Sequence, residues 1–325
     1  MKINCCPSSL KKGFINYSNN ASVRLFGCVD VSCFLQYDID LIKVIYTSKE
    51  PMLQGLQPKS FGYIKNNVIS LEQEDDNIPT HILKLNKINA GFLNETQMVA
   101  NEHLTMQIAE QVYGIETATN GICFSQTGEQ AYITKRFDII SGNIYSKEDF
   151  MVLLNRDDKY NGTYEEVGEI IREYSSEPEK DVCKFFKLIL FNYLFCNGDA
   201  HLMNFTLVKD KKRTWLSPAY DLLNTFLHLN DARFALRGGL LNDDDKIFYN
   251  ENGVATIDTF FEFARRLDIE DDKTLSLINL FRNKESYVNE LIDLSFLNSQ
   301  CKKLYYQLHK RIYNFFFNIK ESTAY

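Results

Sequence analysis

Histidine is scarce in this chain and poorly spaced for metal work. The five residues His81, His103, His201, His228 and His309 contain no H-x-x-x-H interval, so a metal hydrolase has no ligand set to start from. Cysteine is commoner, at eight, but Cys5-Cys6, Cys28 and Cys33 make no clean C-x-x-C pair with histidines nearby, which argues against zinc. Cys123, Cys183, Cys196 and Cys301 stand in apolar surroundings and read as buried thiols of a reducing compartment. The opening Met-Lys-Ile-Asn-Cys-Cys-Pro-Ser-Ser has no apolar h-region, so no secretory signal is expected. The most apolar run, Cys183 to Cys196, is broken by Lys184, Lys187 and Asn192 and is shorter than the ~20 residues of a membrane span. A soluble, cytoplasmic protein without membrane contact is expected. Positive charge is also short: 36 basic against 43 acidic residues give a net charge of −7. That balance argues against direct nucleic-acid binding, and the one local basic stretch is Lys209 to Arg213. Repeats and low-complexity segments are absent.

What is present suits a folded enzyme. With 325 residues, 45% hydrophobic and 13% aromatic, the chain can build two lobes and a sizeable core. Residues 1–70 alternate short apolar runs with Gly, Asn and Ser and predict strands at Val23 to Phe26, Leu41 to Tyr46 and Ser60 to Ile64. His81 to Leu85, Gly121 to Ser125 and Gln130 to Arg136 predict further strands, and 97–113 a helix. From Lys147 on, helices are predicted at 147–155, 163–174, 179–196, 256–267, 271–287 and 298–318, interrupted by a hairpin at 205–216. The expected class is α+β: a β-rich N-terminal lobe over 1–137 and a helical C-terminal lobe over 138–325, with Ile139 to Asn143 as linker. The C-terminal aromatics, Tyr305, Tyr306, Tyr313 and Phe315 to Phe317, read as helical core.

The chemistry concentrates in residues 197–204, Asn-Gly-Asp-Ala-His-Leu-Met-Asn. An acid, Asp199, is followed five positions later by Asn204, the interval of a kinase catalytic loop, in which the Asp accepts the acceptor's proton and the Asn binds metal. After the hairpin comes Asp221, which the returning chain can bring beside Asn204 to share Mg²⁺. Taken singly, Asp199 reads equally as a turn cap and Asp221 as a helix start. Lys84, in the strand His-Ile-Leu-Lys-Leu, matches the strand lysine that meets ATP phosphates. Glu102 falls ~40° from Met98 and ~20° from Ala109 on the apolar face of its helix, where a charge needs a partner, and Lys84 is the natural one. The bland alternatives are a snorkelling lysine and a rim glutamate. Gln54-Gly55-Leu56-Gln57-Pro58-Lys59-Ser60 fails as a Walker A loop for want of its glycines, yet its position before Lys84 fits a loop over a nucleotide. Tyr132 to Asp138 leads from the last strand into the linker, where it could meet adenine. His201 could donate to a phosphate or brace its loop.

These segments together resemble the HipA-like serine/threonine kinases of bacterial toxin–antitoxin systems, nearest to the short HipT-type members. The carrying stretches are Gly55-Leu56-Gln57-Pro58-Lys59, Ile82-Leu83-Lys84, Asn101-Glu102, Lys135-Arg136-Phe137-Asp138, Asn197 to Phe205 and Pro218-Ala219-Tyr220-Asp221, in family order over about 50–225. The resemblance implies a two-lobed kinase fold using ATP and Mg²⁺. By position it makes Asp199 the base and Asn204 and Asp221 the metal ligands. It assigns the nucleotide to Gly55, Gln57, Lys59, Lys84, Glu102, Arg136, Phe137 and His201. It further implies a protein substrate, in known members an aminoacyl-tRNA synthetase, whose phosphorylation halts growth, and a small antitoxin partner. The alternatives are a small-molecule or lipid kinase and a pseudokinase binding module. Two departures stand out. The serines that commonly precede the Gly-x-Gln-Pro-Lys stretch, through which members inactivate themselves, are here Met52 and Gln54, with Thr47, Ser48 and Ser60 out of register. Control is therefore expected from a partner or another residue. Lys135 stands where an acidic residue often precedes Arg-Phe-Asp, so contacts to the base are expected to differ.

Overall fold

The computed structural model describes residues 3–36, 57–71, 78–86, 91–242 and 254–318. The predicted strand at 41–46, Gly55, Met52, Gln54, Thr47 and Ser48 lie outside them. Five antiparallel strands form the first half: β1 (Lys59–Lys65), β2 (Val68–Ser70), β3 (His81–Leu85), β4 (Asn120–Phe124) and β5 (Gln130–Lys135), in the order β2-β1-β3-β5-β4. Register sets Lys59 opposite Lys84 and Lys84 opposite Tyr132, so both lysines share one stretch of sheet. Residues 33–35 run along the free edge of β4: Leu35 donates to the Phe124 carbonyl (2.7 Å) and Phe124 to that of Cys33 (2.8 Å). Such pairing covers an edge that would otherwise invite association.

The expected strand at Val23 to Phe26 is instead the end of a helix, α1 (Asn19–Phe26). Ser18 caps its start, accepting from the Ala21 amide, and Gly27 ends it at φ +81°. Ala21, Leu25 and Phe26 are buried at helical spacing, a period that the four-residue run 23–26 is too short to show.

Helix α2 (Met98–Gln111) lies between the sheet and the second half and is buried from Met98 to Ala109 on every side, not along one stripe. Its polar residues are held one by one. Asn101 donates to the Asn224 carbonyl (2.8 Å), His103 meets the Ser8 carbonyl (2.9 Å), Thr105 meets Tyr305 (2.9 Å) and Gln107 donates to Asn120 (3.0 Å).

The second half is helical, with α3 (Phe150–Leu153), α4 (Tyr164–Tyr174), α5 (Pro178–Leu194), α6 (Ile257–Arg266), α7 (Asp271–Asn279), α8 (Glu285–Leu294) and α9 (Ser299–Phe316). Three expectations are corrected here. The linker residues form a small hairpin of β6 (Ile139–Ile140) and β7 (Asn143–Ile144), turned at Ser141 and Gly142, both in left-handed backbone. The helix expected from 147 begins as strand β8 (Ser146–Asp149), because it pairs with β9 (Thr206–Lys209), itself paired with β10 (Thr214–Leu216). Only then does Asp149 cap α3, accepting from the Val152 amide. The helix expected over 271–287 is two, parted near Asn283 (φ +56°), whose amide donates to the Tyr313 hydroxyl. Helix α5 forms the centre of this half, flanked by Phe260, Phe263 and Tyr305. Most C-terminal aromatics are core, with Phe315 exposed. All eight cysteines are unpaired. No helix among the described residues is long and apolar enough to cross a membrane.

Candidate active site

A cleft of about 960 Å³ opens between the sheet and the helical half. Gln57, Lys59, Lys84, Glu102, Arg136, Phe137, Asp199, His201, Asn204 and Asp221 all line it. Of the residues the resemblance assigns to the base, metal or nucleotide, Gly55 lies outside the described residues. Clefts of this size and mixed lining suit a nucleotide-sized ligand.

Lys84 is enclosed and forked between two acids. Its Nζ donates to Glu102 Oε1 at 2.6 Å and also to Asp221 Oδ1, while Lys59 Nζ stands 3.8 Å from Asp221 Oδ2. Strand β3 supplies the lysine and α2 the glutamate. Asp221 arrives through a clamp, in which Ala118 donates to the Ala219 carbonyl (2.9 Å) and Ala219 to that of Glu116 (2.8 Å). Asp221 itself adopts φ +56°, a left-handed backbone that Asp enters more readily than most residues with a side chain. Burial disfavours the charged form of Asp221, but the attraction of Lys84 and Lys59 prevails and holds its carboxyl well below the usual range. Burial likewise opposes charge on Lys84, and the two acids override it and push its pKa up. Glu102 is the weaker acid of the two, pushed up by burial and by the Asp221 charge against the pull of Lys84.

The loop after α5 is shaped by its own side chains. Cys196 turns the chain at φ +56°, and the Asn197 amide donates to the Asn192 carbonyl (2.9 Å). Gly198 donates to Thr225 Oγ1 (3.0 Å) and is packed so tightly that a Cβ there would lie 2.2 Å from the Ala232 carbonyl oxygen. Only glycine fits without moving backbone. Asn204 folds back, its Oδ1 accepting from the His201 amide (3.0 Å) and its Nδ2 lying 3.5 Å from Asp221 Oδ2. The hairpin thus brings Asn204 and Asp221 together across 17 residues.

Asp199 stands apart from this charge cluster. Its Oδ1 accepts from the Tyr160 hydroxyl at 2.9 Å, and its Oδ2 is 3.9 Å from His201 Nε2. Burial pushes its carboxyl up, against the pull of Lys159 and of the Tyr160 hydroxyl. Burial pushes His201 down to about 4, so its ring is neutral near pH 7. Arg136 is less available than its motif suggested: its guanidinium grips Asp138 (3.1 and 2.8 Å) and the Pro79 carbonyl (3.0 Å). Phe137 stacks on Tyr220 with ring centres 5.3 Å apart, and both line the cleft. The amides of Lys135 and Arg136 already donate to the Thr119 (2.8 Å) and Thr80 (2.9 Å) carbonyls, so neither is open to a base.

Two buried atoms lining the cleft lack partners among the described residues, Nε2 of Gln57 and Nδ1 of His201. Among the described residues no three His, Cys, Asp or Glu side chains gather to hold a metal unaided. Asp221 with Asn204 fits Mg²⁺ all the same, since that ion takes one or two protein ligands and completes its shell with phosphate and water. Sequence reasoning missed Tyr160, Lys159 and the support of Asn101 by Asn224 and His228. The first two lie in Asp158-Lys159-Tyr160-Asn161-Gly162, which reads only as a turn. Asn101, beside Glu102 on a buried face, carried a signal that went unused.

The model of the HipA-like C-terminal domain family matches residues 52–285. A Sinorhizobium fredii protein named as a kinase, Y4dM, is 38% identical over 104 residues, which span 31% of this chain and only 25% of that protein. A Haemophilus influenzae protein also named as a kinase is 27% identical over 259 residues, 74% of this chain and 70% of its own length. Among solved structures, the fold is similar to Shewanella oneidensis MR-1 HipA, solved with HipB and operator DNA. The TM-score is 0.68 at 18% identity, over 87% of this chain and 71% of that one. It is also similar to the Helicobacter pylori proinflammatory kinase CtkA, with a TM-score of 0.53 at 13% identity over 80% and 94%. At these identities the structural likeness is one of fold: two lobes of the kinase type.

Proposed function

We propose, for a chain that belongs to the HipA-like C-terminal domain family, that it transfers the γ-phosphoryl group of ATP to a serine or threonine hydroxyl of a protein. The observation carrying this reading is the convergence of Lys84, Glu102, Asp199, Asn204 and Asp221 on one cleft, from elements up to 137 residues apart. Lys84, steadied by Glu102, would hold the α- and β-phosphates, with Gln57 and Lys59 beside them. Asn204 and Asp221 would hold Mg²⁺, which supplies charge neutralisation of the phosphates when bound. Asp199 Oδ2 would take the acceptor's proton as its oxygen bonds to the γ-phosphorus. The bond to the β–γ bridging oxygen breaks, and ADP departs. Phe137 and Tyr220 would face the base.

The resemblance to toxin kinases extends the proposal to a substrate in translation, such as an aminoacyl-tRNA synthetase, and to growth arrest as the outcome. HipA of Shewanella was solved with HipB, and a small antitoxin is the partner we propose here. The test is transfer of labelled γ-phosphate from ATP and Mg²⁺ to proteins of a bacterial lysate, comparing wild type with Asp199→Asn. A discrete labelled protein seen with wild type alone supports the reading and delivers the target. ATP binding without any transfer would shift the assignment to a small-molecule kinase or a pseudokinase.

A further inference from the structure

The residue touching the candidate base comes from neither the catalytic loop nor any motif of the cleft. Tyr160 belongs to the loop 157–162 between α3 and α4, and this loop is pinned on three sides. The Tyr160 amide donates to Asp158 Oδ1 (3.0 Å), and Asp158 is ion-paired with Arg237. The Arg237 amide donates to the Tyr160 carbonyl (3.0 Å), and that of Leu202 to the Lys159 carbonyl (3.1 Å). The ring meets His201 edge-on, with centres 5.5 Å apart at 81°, and Lys159 Nζ lies 4.8 Å from its centre. The phenol is therefore oriented before any acceptor arrives. Its hydroxyl makes no hydrogen bond among the described residues other than that to Asp199 Oδ1. Asp199 Oδ2, by contrast, accepts none among the described residues, with His201 at 3.9 Å beyond reach.

We propose that Tyr160 is a positioning residue for phosphoryl transfer, holding Oδ1 of Asp199 so that Oδ2 alone is presented to the acceptor hydroxyl. The inference rests on the reading of Asp199 as the base. A phenol suits the task because it is a neutral donor. It fixes the carboxylate without placing a full positive charge on it, as Lys84 does on Asp221. The charged and titratable groups facing Asp199 are Lys159 and Tyr160 from this loop, Asp231 from the segment after the Thr225 turn, His201 from its own loop, and Asp221. A donor that stabilises the carboxylate opposes the effect of burial, so removing the hydroxyl displaces the acidic limb of the rate profile to higher pH.

The experiment is single-turnover transfer of labelled γ-phosphate to lysate proteins from about pH 5 to pH 9, with wild type and Tyr160→Phe. The expected result is a rate about tenfold lower on the plateau, an acidic limb moved up by about half a unit or more, and an unchanged KM for ATP. In an Asp199→Asn background, Tyr160→Phe should have no further effect, since the two act through one carboxylate. A Tyr160→Phe enzyme with wild-type rate and limb overturns the proposal. So does a loss equal at every pH with a raised KM, which marks a structural role. Absence of transfer by wild type overturns the protein-kinase reading and this inference with it, whereas wild-type transfer insensitive to Tyr160→Phe removes this inference alone.

Discussion

The two ends of the cleft solve their electrostatics differently. On the side we propose for the nucleotide, two lysines and two carboxylates interlock: Lys84 bridges Glu102 and Asp221, and Lys59 stands by Asp221. On the side we propose for the acceptor, the Asp199 carboxylate accepts a single hydrogen bond, from an uncharged phenol, and has no lysine within ion-pair distance among the described residues. The consequence appears in opposite directions of titration. Asp221 is held strongly ionised, while Asp199 is pushed toward proton affinity. Phosphates and a divalent ion call for fixed charge, whereas a base must be able to accept a proton. The difference teaches that burial alone does not decide a carboxylate's role; its partners do.

The comparison breaks most sharply at the two acids. Asp199→Asn and Asp221→Asn should each lower transfer by at least about 10²-fold, but with different binding. Calorimetric titration with ATP and Mg²⁺ should find affinity near wild type in the first and clearly weakened in the second. Equal, mild effects from both would dissolve the distinction between the two sides.

A second prediction concerns stability on the nucleotide side. Lys84→Met removes the ion-pair partner of Glu102, which is only 1% exposed, and should destabilise the fold by about 3–5 kcal/mol in urea unfolding. Adding Glu102→Gln should restore part of that loss, because the more enclosed of the two acids that Lys84 pairs with is then neutral. A double variant no more stable than the single one would show that Glu102 is not charged there.

A third prediction concerns the acid sensitivity of the whole fold. Burial pushes His81, His103, His201 and His309 each down to about 4, from 6.5 when exposed. Between these values the unfolded chain binds more protons than the native one, so stability falls as pH drops from about 6.5 toward 4 and is unaffected above. Since these residues span both halves, the thermal midpoint should decline with one transition rather than two. A midpoint flat from pH 7 to about 5 would contradict the enclosed, neutral state of these rings.

Much of this was legible in residue order. The polar loop at 197–204 stood out because a loop rich in Asp, Asn and His follows the most apolar helix of the chain. Lys84 and Glu102 stood out because each is a charge among apolar neighbours, and such charges need partners. The strands β3, β4 and β5 and the helices α4, α5 and α9 had strong periodicity. Failure came where tertiary pairing overrode local pattern. Residues 146–149 are a strand because β9 lies alongside them, and 23–26 are helical because Ser18 and Gly27 cap them. Helix α2 kept no polar stripe because it is covered on both sides, which no hydrophobic pattern with Asn101, His103 and Gln107 would announce.

The sequence by itself determined the class of fold and pointed to Lys84 and Glu102 as partners, because periodicity and isolated buried charges are local properties of residue order. Tertiary structure alone decided which oxygen of Asp199 is held and by what. Tyr160 lies 39 residues before its partner, in a turn with no signal of its own, and reaches it only because Asp158, Arg237 and Leu202 fix that turn against the catalytic loop. Contacts of that kind depend on the relative placement of elements in space, and no spacing along the chain encodes them.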